Sequence, residues 1–224
     1  MADKQKRLRL ITPKGVAVFP RLNEPDTKYV AEGVYTVRLR VDPEAPGVQD
    51  FIGKLEELRD EVYEQKAEEL RERGKPGLIK KLTKREVYLV EEDDEGNETG
   101  FITFSSRMKA SGTSKKTGKP WTRKPDYFDA QKNTLKDPPS IWGGSELRLA
   151  VEPFGYFHEK DKEAGVSLRL DAVQIIKLVT GGSRDADAYG FGEEDGDDLS
   201  EVSSAEPTAS SQVDGNDTDD DEDF

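Results

Sequence analysis

Cysteine is absent from the 224 residues, histidine occurs once and methionine twice. No disulfide, thiolate metal site or cysteine nucleophile can be built. The lone His158 supports neither a histidine metal cluster nor a Ser-His-Asp arrangement. Long apolar runs are also missing, and nothing approaches the roughly 18 apolar residues of a membrane span. The opening stretch Met1–Arg9 is charged and has no apolar core of the kind a signal peptide needs. These absences lead to the expectation of a soluble intracellular protein that is not an enzyme, needs no cofactor or metal, and does not engage a membrane.

The net charge of -13 is unevenly placed. From Ser183 to Phe224 sixteen Asp and Glu stand against the single base Arg184, while residues 1–182 hold 33 bases and 31 acids. The acidity therefore belongs to one end, and the remainder is free to carry a basic face. Such asymmetry points to a nucleic-acid partner or an acidic interaction tail. After Gly181-Gly182 the apolar periodicity stops, leaving only isolated apolar residues such as Tyr189, Phe191, Leu199, Val202 and Phe224. A segment of this composition cannot bury enough surface to offset its ordering entropy. Two parts are expected: a folded domain over 1–182 and a disordered acidic tail over 183–224.

Within the folded part, short strand patterns dominate. Leu8–Ile11 and Val16–Phe19 are brief apolar runs around Pro13-Lys14-Gly15. Over Gly33–Val41, Tyr35, Val37, Leu39 and Val41 alternate with Thr36, Arg38 and Arg40, the period of a strand with one buried face. Val48, Phe51, Ile52, Leu55, Leu58 and Val62 recur at three- and four-residue steps, which predicts an amphipathic helix packed on the sheet. Gly74-Lys75-Pro76-Gly77 ends it. Val87–Val90 and Phe101–Met108 flank an acidic turn and are expected to form a hairpin. Tyr127–Ala130, Leu147–Val151, Phe154–Phe157 and Val166–Val179 complete the strands, with His158–Gly165 as a hairpin tip. The expected fold is mainly β, a five-stranded OB barrel with one inserted amphipathic helix, because closure removes the exposed edges of a small β domain.

The segment Ser105–Lys136 carries the strongest chemical signal. It holds nine bases (Arg107, Lys109, Lys115, Lys116, Lys119, Arg123, Lys124, Lys132 and Lys136) against Asp126 and Asp129. Trp121, Tyr127 and Phe128 are interleaved with them. Cations follow a phosphate backbone and flat rings stack on unpaired bases, the two ingredients of single-strand recognition. The plain alternative is a solvated basic loop beside core aromatics. Lys115-Lys116-Thr117-Gly118-Lys119-Pro120 only superficially resembles a phosphate loop. Five residues separate Gly112 from Gly118 where four are required, and Pro120 stands where a hydroxyl must bind magnesium.

The chain ends Asp219-Asp220-Asp221-Glu222-Asp223-Phe224. A terminal ring and α-carboxylate beside many acids offer the same chemistry as a base beside phosphates. A flexible tail of this length spans about 35 Å, against a radius of gyration of about 16 Å for the folded part. Tethering raises its effective concentration to the order of millimolar, so it can reach and compete for a groove in its own domain.

Taken in order along the chain, several segments resemble the single-stranded DNA-binding proteins of the T-odd bacteriophages, the phage T-seven type. They are Gly33-Val34-Tyr35-Thr36-Val37, the charged helix, Phe101-Ile102-Thr103-Phe104 and Lys115-Lys116-Thr117. Gly143-Gly144-Ser145-Glu146-Leu147, Pro153-Phe154-Gly155-Tyr156, Ala164–Leu170 and the acidic end with Phe224 follow. The resemblance implies an OB fold, coating and annealing of single-stranded DNA, and roles in phage replication, recombination and repair in the cytoplasm of the infected host. It implies a tail that binds the phage DNA polymerase and the primase-helicase and competes with DNA, and a homodimer formed through tail exchange. Arg107 stands where such proteins have a DNA-contacting lysine, and Phe154 where they have a stacking tyrosine after a proline. Lys109 falls where they have an aromatic, a role Trp121 or Tyr127 could take over. The basic start Lys4-Gln5-Lys6-Arg7 also follows the pattern. The expected DNA contacts are Arg107, Lys109, Lys115, Lys116, Lys119, Trp121, Arg123, Lys124, Tyr127, Phe154 and Tyr156. The partner-binding end is Asp219–Phe224. Two other readings stay open: an RNA-binding OB protein, and an acidic DNA mimic whose whole function lies in the tail.

Overall fold

A computed structural model describes residues 8–93 and 95–179. The acidic tail, its terminal Asp219–Phe224 and the basic start Lys4–Arg7 lie outside the described residues. The described residues form eleven strands: β1 (Leu10–Ile11), β2 (Gly15–Asp26), β3 (Val34–Val41), β4 (Thr83–Lys84), β5 (Leu89–Glu92), β6 (Glu98–Lys109), β7 (Ser111–Thr113), β8 (Pro120–Thr122), β9 (Asp126–Phe128), β10 (Glu146–His158) and β11 (Glu163–Lys177). Helix α1 (Val48–Glu72) and a 3-10 helix (Pro76–Lys81) lie between β3 and β4.

Nine strands form one sheet in which β10 pairs with β1, β2 and β11, β3 lies between β2 and β6, and β11 also pairs with β4, β6 and β9. Strands β7 and β8 make a separate hairpin. The path β10–β2–β3–β6–β11 leads back to β10, but it is held unevenly. Thirteen residue pairs join β10 to β11 and eight join β3 to β6. Only Glu146↔Val16 and Leu147↔Gly15 join β10 to β2, and only Leu168↔Ser106 and Arg169↔Arg107 join β11 to β6. The closure expected from sequence is therefore corrected: the sheet curls, yet two short seams leave it short of a closed five-strand barrel. The physical reason lies in strand length. Strands of 12 to 15 residues outrun the short stretches over which neighbours meet, because strong twist carries their ends apart.

Inward residues alternate as the sequence requires. Tyr35, Val37, Leu39 and Val41 of β3 are buried, as are Ile102, Phe104 and Met108 of β6, Leu147, Leu149 and Val151 of β10, and Leu168, Leu170 and Val173 of β11. The helix stripe joins this core through Val48, Phe51, Ile52 and Leu55. Burying such side chains contributes about 1.5–3 kcal/mol each. The Phe51 and Phe104 rings meet edge to face at 5.1 Å. Further along, Ala67 and Leu70 of the helix form a second cluster with Leu82, against Tyr63, Leu78, Ile79 and Phe157. The helix ends before Gly74, whose φ is 68°.

Sequence reading divided β10 at Pro153, whereas the strand runs through it. Beyond Val151 the ladder of β10 is made with β11 alone, so a missing N–H is tolerated on the unpaired side. The polar stretch Ser111–Pro120 closes into the β7–β8 hairpin around Gly118.

The helix crosses the sheet at Gly155. A Cβ placed there would lie 2.6 Å from Val62 Cγ2 and 3.4 Å from Leu58 O. Gly155→Ala is expected to push α1 off the sheet and cost about 1–3 kcal/mol. Thermal unfolding of the variant checks this, and an unchanged midpoint would contradict the close packing.

Candidate nucleic-acid interface

The polar face of the sheet follows from the same alternation. With Ile102, Phe104, Ser106 and Met108 buried, β6 must turn Ser105, Arg107 and Lys109 outward, and all three are exposed. Cross-strand register places Thr36 opposite Arg107, Arg38 opposite Ser105 and Val34 opposite Lys109. Arg21 of β2 lies opposite Thr36. At the β6–β11 seam Arg107 aligns with Arg169, which in turn aligns with Glu152 of β10. The result is a transverse row, Arg21–Thr36–Arg107–Arg169–Glu152, with Arg38 beside it.

Phe154 stands one outward position beyond Glu152, 46% exposed. The Arg169 guanidinium lies over its ring at 4.4 Å from the centroid. Such a contact contributes about 0.5–1 kcal/mol at an exposed site and holds a cation and a stacking surface side by side. Tyr156, next outward on β10, is half-buried and packs against Gly165, where a Cβ would lie 2.6 Å from the ring. The three-residue Pro153–Gly155 run thus carries an outward ring between a buried proline and a glycine that admits the helix.

The basic segment after β6 forms an outlying hairpin. Lys115, Lys116 and Lys119 are exposed around its turn, which closes through Gly118 N donating to Ser114 O at 2.8 Å. Trp121 is half-buried, with its ring against Gly112 and the Arg123 guanidinium 5.0 Å from its centroid. Arg123 Nε donates to Lys109 O at 2.9 Å, and its backbone N donates to Ala110 O at 2.8 Å. These bonds fix the hairpin to the end of β6, two residues from Arg107. Lys124 is exposed, its Nζ donating to Lys136 O at 3.5 Å. Asp129, an acid of this segment, is committed to a turn. Its carboxylate accepts from Asn133 Nδ2 and Asn133 N at 2.8 Å each, and these bonds hold it below the usual carboxylate range.

Tyr127 does not belong to this surface. It is buried in the main core, and its hydroxyl donates to Leu22 O. Burial pushes the phenol well above its ordinary pKa, with the Tyr35 phenol adding to the shift. Period-two logic in the short β9 explains the error. Asp126 and Phe128 flank an inward residue, and three residues are too few to display the alternation. His158 lies exposed at the β10–β11 tip, with Nδ1 2.7 Å from Asp161 Oδ2. Among the described residues no group of carboxylates and histidine is placed to hold a metal ion, and no helix is long and apolar enough to cross a membrane.

Sequence reading missed Arg21, Arg38 and Arg169. Arg38 and Arg169 were visible as the polar members of alternating strands, Val37-Arg38-Leu39 and Leu168-Arg169-Leu170. What was missing was the register that aligns them with Arg107. Arg40, by contrast, is drawn aside by Glu91 at 3.7 Å and by the Phe101 ring at 5.1 Å.

A curled, mainly antiparallel sheet with one helix and a cationic, aromatic outer face defines a β-sheet protein built around a surface rather than a cleft. Residues 15–178 match the family described as Single-stranded DNA-binding protein, Bacteriophage T7. The single-stranded DNA-binding protein of Escherichia phage T7 is 27% identical over 164 residues, 73% of this chain and 70% of that protein. Its counterpart in Enterobacteria phage T3 is 29% identical over 170 residues, with the same coverage of 73% and 70%. The crystal structure of gp2.5, the single-stranded DNA-binding protein encoded by bacteriophage T7, superposes with a TM-score of 0.63. At 24% identity it covers 85% of this chain and 98% of that one, a likeness of fold. The chain belongs to the bacteriophage T7 single-stranded DNA-binding protein family.

Placing Tyr127 in the core has a measurable consequence. Tyr127→Phe leaves Leu22 O without its donor and is expected to lower stability by about 1–3 kcal/mol while leaving nucleic-acid affinity unchanged. The raised phenol pKa adds a pH signature: its contribution is complete below about pH 10, the unperturbed value, and declines as pH rises above it. Denaturant titrations of the native chain and the variant at pH 8 and pH 11 should converge at the higher pH.

Proposed function

We propose that this chain binds single-stranded DNA without strong sequence preference, in the service of phage DNA replication, recombination and repair. The observation that carries the reading is the outward row in which Arg107 and Arg169 align across the β6–β11 seam with the Phe154 ring stacked beneath the Arg169 guanidinium. Arginines along a strand path neutralise successive phosphates, and Phe154 offers a ring face to an unpaired base. Lys109, Lys115, Lys116, Lys119, Trp121, Arg123 and Lys124 extend the cationic surface, and Tyr156 flanks Phe154. The core strands β2, β3, β6, β10 and β11 with the single helix are read as an OB fold, a partly open Greek-key barrel that presents one sheet face to oligonucleotides. The protein acts by holding and annealing strands in the host cytoplasm, and it is not an enzyme.

The acidic stretch 183–224 acts as a detachable competitor for this face and as the contact for the phage polymerase and primase-helicase through Asp219, Asp220, Asp221, Glu222, Asp223 and Phe224. Exchange of that stretch between two copies would give a homodimer. Its sixteen acids against one base supply the charge complementarity.

Fluorescence anisotropy with labelled oligo-dT over a range of salt concentrations tests the reading. Arg107→Ala and Arg169→Ala should weaken binding and each flatten the log–log salt slope by about 0.7. Phe154→Ala should cost about 1–3 kcal/mol. Affinity that ignores salt, or that survives all three changes, overturns the proposal, and preference for RNA oligomers of the same length would redirect it. A chain ending at Gly182 should bind oligo-dT more tightly than the full chain. Equal affinity would remove the competitor role while leaving the DNA-binding face standing.

A further inference from the structure

Two further rings stand in solvent near the β2 end of the arginine row. Phe19 is 79% exposed and Trp142 is 53% exposed. Phe19 sits in β2 where the register with β3 breaks between Val18 and Arg21, and its φ is 47°. A left-handed backbone is costly for a bulky residue, and the following Pro20 already biases this position toward extended geometry. A phenylalanine held so far in solvent, on a strained backbone, recovers little by burial. Strain of this kind, when the surroundings enforce it, marks a functional position.

The surroundings do enforce it. The segment containing Trp142 is stitched to β2 on both sides of Phe19. Gly144 N donates to Ala17 O at 2.9 Å, and Ala17 N donates to Ser145 O at 2.8 Å. On the other side, Ile141 N donates to Asn23 Oδ1 at 2.8 Å and Asn23 Nδ2 to Pro139 O at 2.9 Å. Trp142 lies between Ile141 and Gly144, and Phe19 between Ala17 and Asn23, so the stitching brings the two backbone segments that carry these rings alongside one another. Arg21, two residues from Phe19, opens the transverse row toward Arg107 and Phe154.

We propose that Phe19 and Trp142 form a second base-stacking platform, so that a single DNA strand crosses the sheet from this pair, over the arginines, to Phe154. The inference rests on the DNA-binding reading above and adds a path and a second anchor to it. From β2 to β10 the path crosses four strand spacings, about 19 Å. Two ring anchors with cations between them are the arrangement that unpaired bases on a continuous phosphate backbone require. The continuity with Arg21 and Arg38 favours nucleic acid over a second copy of the chain as the occupant.

The full chain carrying Trp121→Phe leaves Trp142 as the only tryptophan, since the sequence holds two. Titration with oligo-dT should quench its emission. In otherwise native full-length chains, Trp142→Ala and Phe19→Ala should each weaken affinity roughly tenfold or more for oligomers long enough to span the sheet, and Trp142→Phe should retain most of it. Phe19→Gly is the control for folding: it relieves the left-handed strain, so it should raise the unfolding midpoint while still weakening binding. Normal affinity in Phe19→Gly and Trp142→Ala with no change in Trp142 emission would overturn the platform and leave the DNA-binding reading intact. Failure of the native chain to bind oligo-dT would remove both. A change in sedimentation of Trp142→Ala with unaltered DNA affinity would assign the pair to a contact between copies and overturn the proposal.

Discussion

The ladder between β10 and β11 is the interaction on which the other features depend. Its thirteen residue pairs make a ribbon long enough to touch nearly every other element. β1 and β2 pair on one side of it, and β4, β6 and β9 on the other. The helix lies across its face at Gly155. The register slips between Ala150 and Val151, where Asp171 becomes an extra residue on β11. A bulge of this kind bends the ribbon and increases its twist. The bend lets the Glu146 end of the ribbon reach β2 while the middle of β11, at Leu168 and Arg169, reaches β6, and so converts an open meander into a curled sheet with an inside and an outside.

Once the inside is full, the outside is determined. Inward residues on β3, β6 and β11 turn Arg38, Arg107 and Arg169 toward solvent. Guanidinium groups suit such a face because they stack on rings as well as meeting phosphates. Arg169 over Phe154 and Arg123 over Trp121 both do so. The surface is therefore partly ordered before any ligand arrives, which lowers the entropic cost of binding.

The second hydrophobic cluster has a different role. Ala67, Leu70 and Leu82 anchor the last turns of α1 and the 3-10 helix against Phe157. Lys66 reinforces the junction by donating to Glu69 at 3.0 Å and to Glu159 at 2.5 Å. Those bonds hold the lysine charged and its pKa raised. The β10–β11 tip is thereby tied to the helix, and the end of the ribbon bearing Phe154 and Tyr156 has a rigid support behind it.

Local pattern determined a good deal by itself. The alternation in Gly33–Val41 placed β3, the three-four spacing from Val48 placed the helix, and the Gly-rich break at Gly74 ended it. The density of cations after Ser105 marked a basic segment in the same way. Those features are readable because each depends on neighbours within a turn of helix or a few strand residues. Tertiary structure alone decided which distant residues share the face. Arg21, Arg38, Arg107 and Arg169 lie on four strands, and only register aligns them. The burial of Tyr127 depended on Leu22, a residue 105 positions away. The extent of closure was likewise set by where long twisted strands could still meet. Pairing across such separations is fixed by the packing of the whole core, which no local window of sequence contains.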